Sequence, residues 1–174
     1  MWKKSYSIST MASFSTKTFK VHDDYMTPKS AWEAIKDYIP KRVIWEPFYG
    51  DGESGTYLRE LLDTEVIHED VDFYKSDFGE IIVSNPPFSD AKNVLTRLKE
   101  LGKPFILIMP SSKMNTQYFR SLFMDENIQI IIPKKRIQFQ KLVDGKPVES
   151  DNCNFDCFYY CWKINLPKDI VWLK

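Results

Sequence analysis

Two short stretches hold the residue types and spacings that can do chemistry. The first, Glu46-Pro47-Phe48-Tyr49-Gly50-Asp51-Gly52, follows an apolar run and precedes a helical pattern. Gly50 and Gly52 carry no side chain, so the backbone there can turn sharply and let a ligand lie against it. Ligands of open α/β sheets bind at the carboxyl ends of strands, which is where such a loop sits. No Lys-Ser/Thr pair follows the glycines, which excludes a Walker-type phosphate cradle. Acids at Glu46, Asp51 and Glu53 would repel a pyrophosphate, so a ligand with a positive centre suits the loop better than NAD or ATP. Glu46, at the strand end, can accept hydrogen bonds from a cationic or hydroxyl-bearing group.

The second stretch, Asn85-Pro86-Pro87-Phe88, follows a buried-strand pattern directly. Two prolines hold the chain extended and stiff and remove two backbone donors. The carbonyls and the Asn85 side-chain oxygen remain as acceptors, with the Phe88 ring beside them. Rigid acceptors next to a stacking ring are what a planar heterocycle with an exocyclic amino group requires.

Other features carry less. Cys153, Cys157 and Cys161 recur every fourth residue. On a strand this puts them on one face but too far apart for three ligands to close on one zinc, so core packing is expected and no metal. His22 and His68 have no partner at ligand spacing. Phe155, Phe158, Tyr159, Tyr160 and Trp162 read as a two-sided buried strand and not as a base-stacking platform. Lys134, Lys135 and Arg136 form a local basic cluster suited to gripping phosphate.

The elements that must position these stretches alternate. Thr27-Pro28 opens a helix, with Thr27 as cap, whose apolar residues Ala31, Trp32, Ile35, Tyr38 and Ile39 run to Pro40. Strands are expected at 43–45, 66–68, 81–84, 105–109 and 128–132. Helical stripes fall between them, one over Tyr57 to Leu62, one capped by Asp90 and stopped by Gly102, and one over Tyr118 to Phe123. Two last strands, 136–143 and 155–164, with a turn at Asp144-Gly145-Lys146-Pro147, predict an antiparallel hairpin at the edge. The pattern predicts an α/β fold, a mostly parallel sheet covered by helices on both faces.

Composition agrees with one ordered domain over 23–174. Of 174 residues, 43% are hydrophobic, and 24 basic residues balance 24 acidic ones. That excludes wholesale disorder and binding to nucleic acid by bulk charge. No apolar run is long enough to span a membrane, and three cysteines are too few for a disulfide framework, which favours a reducing, intracellular setting. Residues 1–22 contain no acid and four lysines, Lys3, Lys4, Lys17 and Lys20, and read as a mobile basic arm. No internal repeat and no linker is visible.

The glycine loop resembles the S-adenosylmethionine loop of class I amino-methyltransferases, and Asn85-Pro86-Pro87-Phe88 resembles their catalytic motif. Asp24-Tyr25-Met26-Thr27-Pro28 is similar to the upstream cofactor-contacting segment of N6-adenine methyltransferases. The tail, Arg136-Ile137-Gln138-Phe139, Asp144-Gly145-Lys146-Pro147 and an aromatic strand, resembles the small adenine DNA methyltransferases of phages and large DNA viruses. The likeness covers roughly residues 23–165. It implies a Rossmann-like methyltransferase domain with S-adenosyl-L-methionine as cofactor, held by Tyr25, Thr27, Pro28, Glu46, Pro47, Phe48, Gly50 and Gly52. For the ribose-binding acid it points to Asp70, with Glu69 as the alternative. Asp72-Phe73 would hold the cofactor's adenine, with Asp77-Phe78 as the competing segment. Asn85, Pro86, Pro87 and Phe88 would be catalytic, acting on the N6 amino group of adenine in nucleic acid, DNA before RNA. The family's protein-glutamine enzymes usually carry Tyr where Phe88 stands, which favours a nucleobase. Methylation of an RNA base or of a glutamine amide, and an inactive cofactor-binding subunit of a complex, are the competing expectations. No separate target-recognition domain is visible, which leaves room for a partner protein.

Overall fold

The computed structural model describes Asp23 and residues 25–144, 146–149 and 155–174. The basic arm with its lysines, His22, Asp24, Gly145 and Cys153 lie outside the described residues.

Seven strands form one sheet in the order β2-β1-β3-β4-β8-β5-β9. They are β1 (Ile44–Trp45), β2 (Val66–Ile67), β3 (Ile81–Ser84), β4 (Phe105–Pro110), β5 (Ile128–Ile132), β8 (Cys157–Trp162) and β9 (Ile170–Trp172). β1 pairs in parallel with β2 and β3, β3 with β4, and β5 with β9; β8 runs antiparallel to both β4 and β5. The mostly parallel, helix-flanked sheet expected from the sequence is therefore present. β6 (Gln140–Val143) and β7 (Lys146–Glu149) form a separate two-stranded hairpin, tied to the rest by a bridge from Gln140 to Met26.

Four helices, α1 (Lys29–Glu33), α2 (Glu53–Leu61), α3 (Ala91–Leu101) and α4 (Gln117–Phe123), cover the sheet. One core gathers Trp32 and Ile35 with Leu58 of α2 against Ile106, Ile108, Tyr159 and Cys161. The other packs Val94, Leu95 and Leu98 of α3 and Phe119 and Phe123 of α4 against Leu107, Tyr160 and Trp162. The alternation along β8 divides between these two cores, as the period of two along a strand requires.

Four expectations are corrected. The C-terminal antiparallel hairpin is present, but its second strand is β7 and it forms no edge of the main sheet. The 136–143 segment turns back on β7 and not on the last aromatic strand, and β8 lies inside the sheet, where it can bury both faces. The sheet edge beside β5 is β9, which its two-residue alternation leaves half exposed: Ile170 and Trp172 face outward and Val171 inward. The first helix is shorter than its apolar stripe. It ends at Glu33, a 3-10 turn at Lys36–Tyr38 follows, and Ile35 and Ile39 still reach the core. Finally, neither proposed cap acts as one. Pro28 itself occupies the N-cap of α1, and Asp90 at the start of α3 bonds instead to the Tyr74 hydroxyl and to Asn93.

Among the described residues no helix is long and apolar enough to cross a membrane, and no cluster of metal-ligating side chains occurs.

One buried bond joins β8 to α1: the Tyr159 hydroxyl donates to the Ala31 carbonyl at 2.7 Å. Tyr159→Phe leaves that carbonyl without its partner and is expected to cost about 1–3 kcal/mol. Urea unfolding of the two proteins measures it; an unchanged midpoint would show that the bond contributes nothing net.

Candidate functional site

The strand order reverses between β1 and β3. The chain leaves β1 toward β2 on one side, and leaves β3 toward β4 on the other. In open α/β sheets the crevice at such a reversal, beyond the carboxyl ends of the strands, is where ligands bind. Both chemistry-bearing stretches begin there, with Glu46 directly after β1 and Asn85 directly after β3.

Glu46 is 1% exposed. Its Oε1 accepts from the Phe48 amide at 3.1 Å and from the Ser84 hydroxyl at 2.5 Å, so one carboxyl joins the glycine loop to the Asn85 corner. Burial pushes its pKa up to about 8, against these bonds and the Asn85 amide, which lower it. The loop beyond it turns through left-handed Gly50, at φ 59°, to Gly52, which occupies the N-cap of α2. A Cβ on Gly50 would lie 3.2 Å from the Met26 sulfur, so that position is both conformationally and sterically reserved for glycine. Asp51 stabilises the turn by accepting from the Glu53 amide.

Asn85 is oriented by a backbone carbonyl. Its Nδ2 donates to the Tyr25 carbonyl at 3.2 Å. A carbonyl only accepts, so the amide NH2 must face it and Oδ1 must take the opposite side. That Oδ1 is buried and has no hydrogen-bond partner among the described residues. Tyr25 belongs to a strap, Asp23 and residues 25–28, that is pinned at several points beside the corner. The Asp23 carboxylate accepts from the Ser89 amide at 3.0 Å and from the Ser89 hydroxyl. Met26 exchanges two backbone bonds with Gln140 of β6. Thr27 lies on the same strap, 4% exposed, and its hydroxyl is a second buried group with no partner among the described residues.

Four aromatic rings close around this corner. Phe88 meets Phe139 at 6.1 Å and Phe155 at 5.7 Å, and Tyr25 meets the same two rings at 6.0 and 5.9 Å. Phe139 is fully buried and Phe88 is 8% exposed, while Phe155 remains half-buried. Reading Phe155 as part of a core strand is therefore a miss. It stands before β8, and because β8 runs antiparallel, its start shares the rim with the ends of the parallel strands. No local signal in the sequence marks this, since it depends on where β8 inserts. Pro86 and Pro87 are buried between β3 and Phe88.

The remaining predicted residues divide. Pro47 is buried and Phe48 half-buried beside the loop. Asp72 accepts from the Tyr74 amide at 3.0 Å and starts a 3-10 turn, and the Phe73 ring packs 4.9 Å from Phe48. Phe73 is fully buried, so this segment offers a ligand Asp72 and backbone groups, not the Phe73 ring. The competing Asp77-Phe78 segment lies at the other end of the sheet, where Lys103, just before β4, binds Asp77 and the carbonyls of Phe78 and Gly79. Glu69 and Asp70 both follow β2 on the site rim, exposed. Lys134, Lys135 and Arg136 follow β5 on that rim, also exposed, with Arg136 held by Asp156 at 2.8 Å.

His68, read as ordinary, has a defined place. Its Nδ1 donates to the Glu46 carbonyl at 2.9 Å and its ring stacks on Tyr49 at 4.9 Å, which fastens the end of β2 to the loop. Burial lowers its pKa, disfavouring the charged ring. Gly55 makes room for it, since a Cβ there would fall 2.3 Å from the imidazole.

No family model matches the chain, and no curated protein matches it in sequence. Among solved structures it is similar to an S-adenosylmethionine-dependent O-methyltransferase of Thermotoga maritima, at 12% identity and a TM-score of 0.42, over 80% of this chain and 66% of that one. It is also similar to a Listeria monocytogenes protein described as a class I S-adenosylmethionine-dependent methyltransferase, at 11% identity and a TM-score of 0.45, over 89% and 67%. The chain thus spans about two thirds of the length of either.

The buried carboxyl makes stability depend on pH. Glu46 holds its proton in the folded state up to about pH 8, but ionises near 4.5 when unfolded. Its stabilising share is complete below the unfolded value and is lost as pH rises through the folded one. Glu46→Gln cannot ionise and lacks this dependence. Between pH 5 and 9 the wild type is expected to lose stability relative to the variant, by an amount on the order of a few kcal/mol. Parallel pH profiles of the two proteins would contradict the assignment.

Proposed function

We propose that the chain is an S-adenosylmethionine-dependent methyltransferase acting on the exocyclic N6 amino group of adenine in nucleic acid, with DNA as the preferred substrate. The observation that carries this reading is the Asn85 amide. It sits at the sheet's switch point, locked by the Tyr25 carbonyl, with a buried Oδ1 lacking a partner among the described residues and aromatic rings beside it. A buried acceptor without a donor is costly, and a ligand N–H supplies what is lacking.

The residues present fit the cofactor. Glu46 is a buried carboxyl facing no cation in its bonding shell, and a positively charged ligand group would draw its pKa back down and hold it ionised. Gly50 keeps the loop free of a side chain. Asp70 or Glu69 after β2 would take the ribose hydroxyls, and Asp72 the adenine edge; Thr27 and Pro28 would line the strap side. When bound, the cofactor supplies a methyl group on a sulfonium, already strongly electrophilic.

The chain's own task is then the target nitrogen, a poor nucleophile because its lone pair is delocalised into the ring. Asn85 Oδ1 and the Pro86 carbonyl accept its two hydrogens, which favours a more tetrahedral nitrogen with its lone pair directed outward. Prolines 86 and 87 keep these acceptors from moving, so the gain comes from orientation and preorganised polarity. No strong base is needed. Phe88, with Phe155 as the more open ring, holds the base plane. A base in a duplex must leave the stack to reach this corner.

Tritium-labelled methyl transfer to unmethylated DNA, RNA and protein, followed by nucleoside analysis, tests the reading. Label in N6-methyladenine is expected. Label confined to protein glutamine, or to none of the three, would overturn it. Asn85→Ala is expected to lower kcat on the order of a hundredfold or more. Calorimetric binding of S-adenosylhomocysteine should persist in that variant and disappear in Gly50→Arg.

A further inference from the structure

On the same rim, beyond the strap, lies a groove of about 440 Å³ between α1, the loop after β5 and the end of β9. Its floor is apolar, with Ala31, Ile137 and Tyr159 all buried. Its walls carry Lys134, Lys135 and Arg136, and no residue lining it has an acidic side chain. In a chain with equal numbers of acids and bases, that is a local separation of charge. Lys134 and Lys135 are exposed and enter no ion pair among the described residues, and Asp156 is engaged with Arg136.

Two short segments lead from the groove to the candidate catalytic corner. Pro28 lines the groove, and Tyr25, three residues earlier on the same strap, accepts from the Asn85 amide at the corner. Ile137 lines the groove, and Phe139, two residues on, packs against Phe88. Two extended residues reach at most about 7 Å, so groove and corner are neighbours.

We infer that this groove is the channel for the phosphate backbone of a single nucleic-acid strand, and that it holds the nucleotides flanking the one whose base enters the Asn85 corner. The inference rests on the nucleic-acid reading given above. The lysines neutralise successive phosphates, and the apolar floor accepts sugar or base faces without sequence preference. A positively charged groove that tracks the backbone is the electrostatic half of how single strands are held without sequence preference. A strand so held presents a base already out of a duplex stack, which suits a corner that cannot admit a paired one.

The test uses the full chain and a short fluorescein-labelled oligodeoxythymidine, which carries phosphates but no adenine, so that binding is measured apart from methylation. Fluorescence anisotropy over a salt series should give wild-type binding with a negative log–log slope. Lys134→Gln/Lys135→Gln should reduce that slope by roughly 1.4, at about 0.7 per lost phosphate contact, and Lys134→Glu/Lys135→Glu should weaken binding further. Lys92→Ala, on α3 across the sheet, should leave the slope unchanged, and S-adenosylhomocysteine binding should be equal in all four proteins. Both lysines are exposed, and matching thermal midpoints confirm intact folding. No binding of the oligonucleotide by the wild type, or an equal slope in the double variants, overturns the groove assignment even if adenine methylation is found. Groove-dependent binding without adenine methylation supports the groove and removes the catalytic reading instead.

Discussion

The carboxyl of Glu46 sits at the switch point between β1 and β3, and it is buried. A group of that polarity survives there only with its hydrogen bonds made. It makes them to two different segments, the Phe48 amide of the glycine loop and the Ser84 hydroxyl at the end of β3. The backbone carbonyl of the same residue takes the His68 imidazole from the end of β2. Three strand ends are thereby held in register by one residue. The loop that would cradle a ligand and the corner that would present Asn85 keep a fixed separation because both are bonded to it.

A second layer of constraint lies over this. The strap, Asp23 and residues 25–28, has only the bridge at Met26 among its described residues, yet it decides which way the Asn85 amide faces. It is held by Ser89 on one side and by Gln140 on the other. The hairpin of β6 and β7 thus acts on the site through the strap, with Lys141 over the Tyr25 ring at 4.8 Å adding a cation–π contact.

The parts of the site written in contiguous sequence were legible before any coordinates. The glycine loop and Asn85-Pro86-Pro87-Phe88 announce their geometry through glycine and proline, which act on the backbone where they stand. The helices of the second core were legible for a similar reason, since their apolar stripes are local. What was illegible depends on partners distant in the chain. The pattern of residues 155–164 describes a strand buried on both faces, but not that it inserts between β4 and β5. The pairing of 140–143 with 146–149 depends on a turn whose closing register is not encoded in alternation alone. Asp90 looked like a helix cap because caps are defined by sequence position; Tyr74, arriving from sixteen positions earlier, took it instead. His68 looked ordinary because the space made by Gly55 and the carbonyl of Glu46 are visible only in three dimensions.

The position of β8 has a consequence for the order in which the molecule is assembled. β4 and β5 both precede β8 in the chain and end as its neighbours, not as each other's. Until β8 arrives, each presents an open, strongly apolar edge of the kind that pairs with other chains. The segment that closes the gap is also the one that brings Phe155 to the aromatic corner. Sheet closure and completion of that corner are therefore a single late event built on long-range contacts, which makes it slow. A nascent or partly unfolded chain is aggregation-prone over the same interval in which its aromatic corner is incomplete.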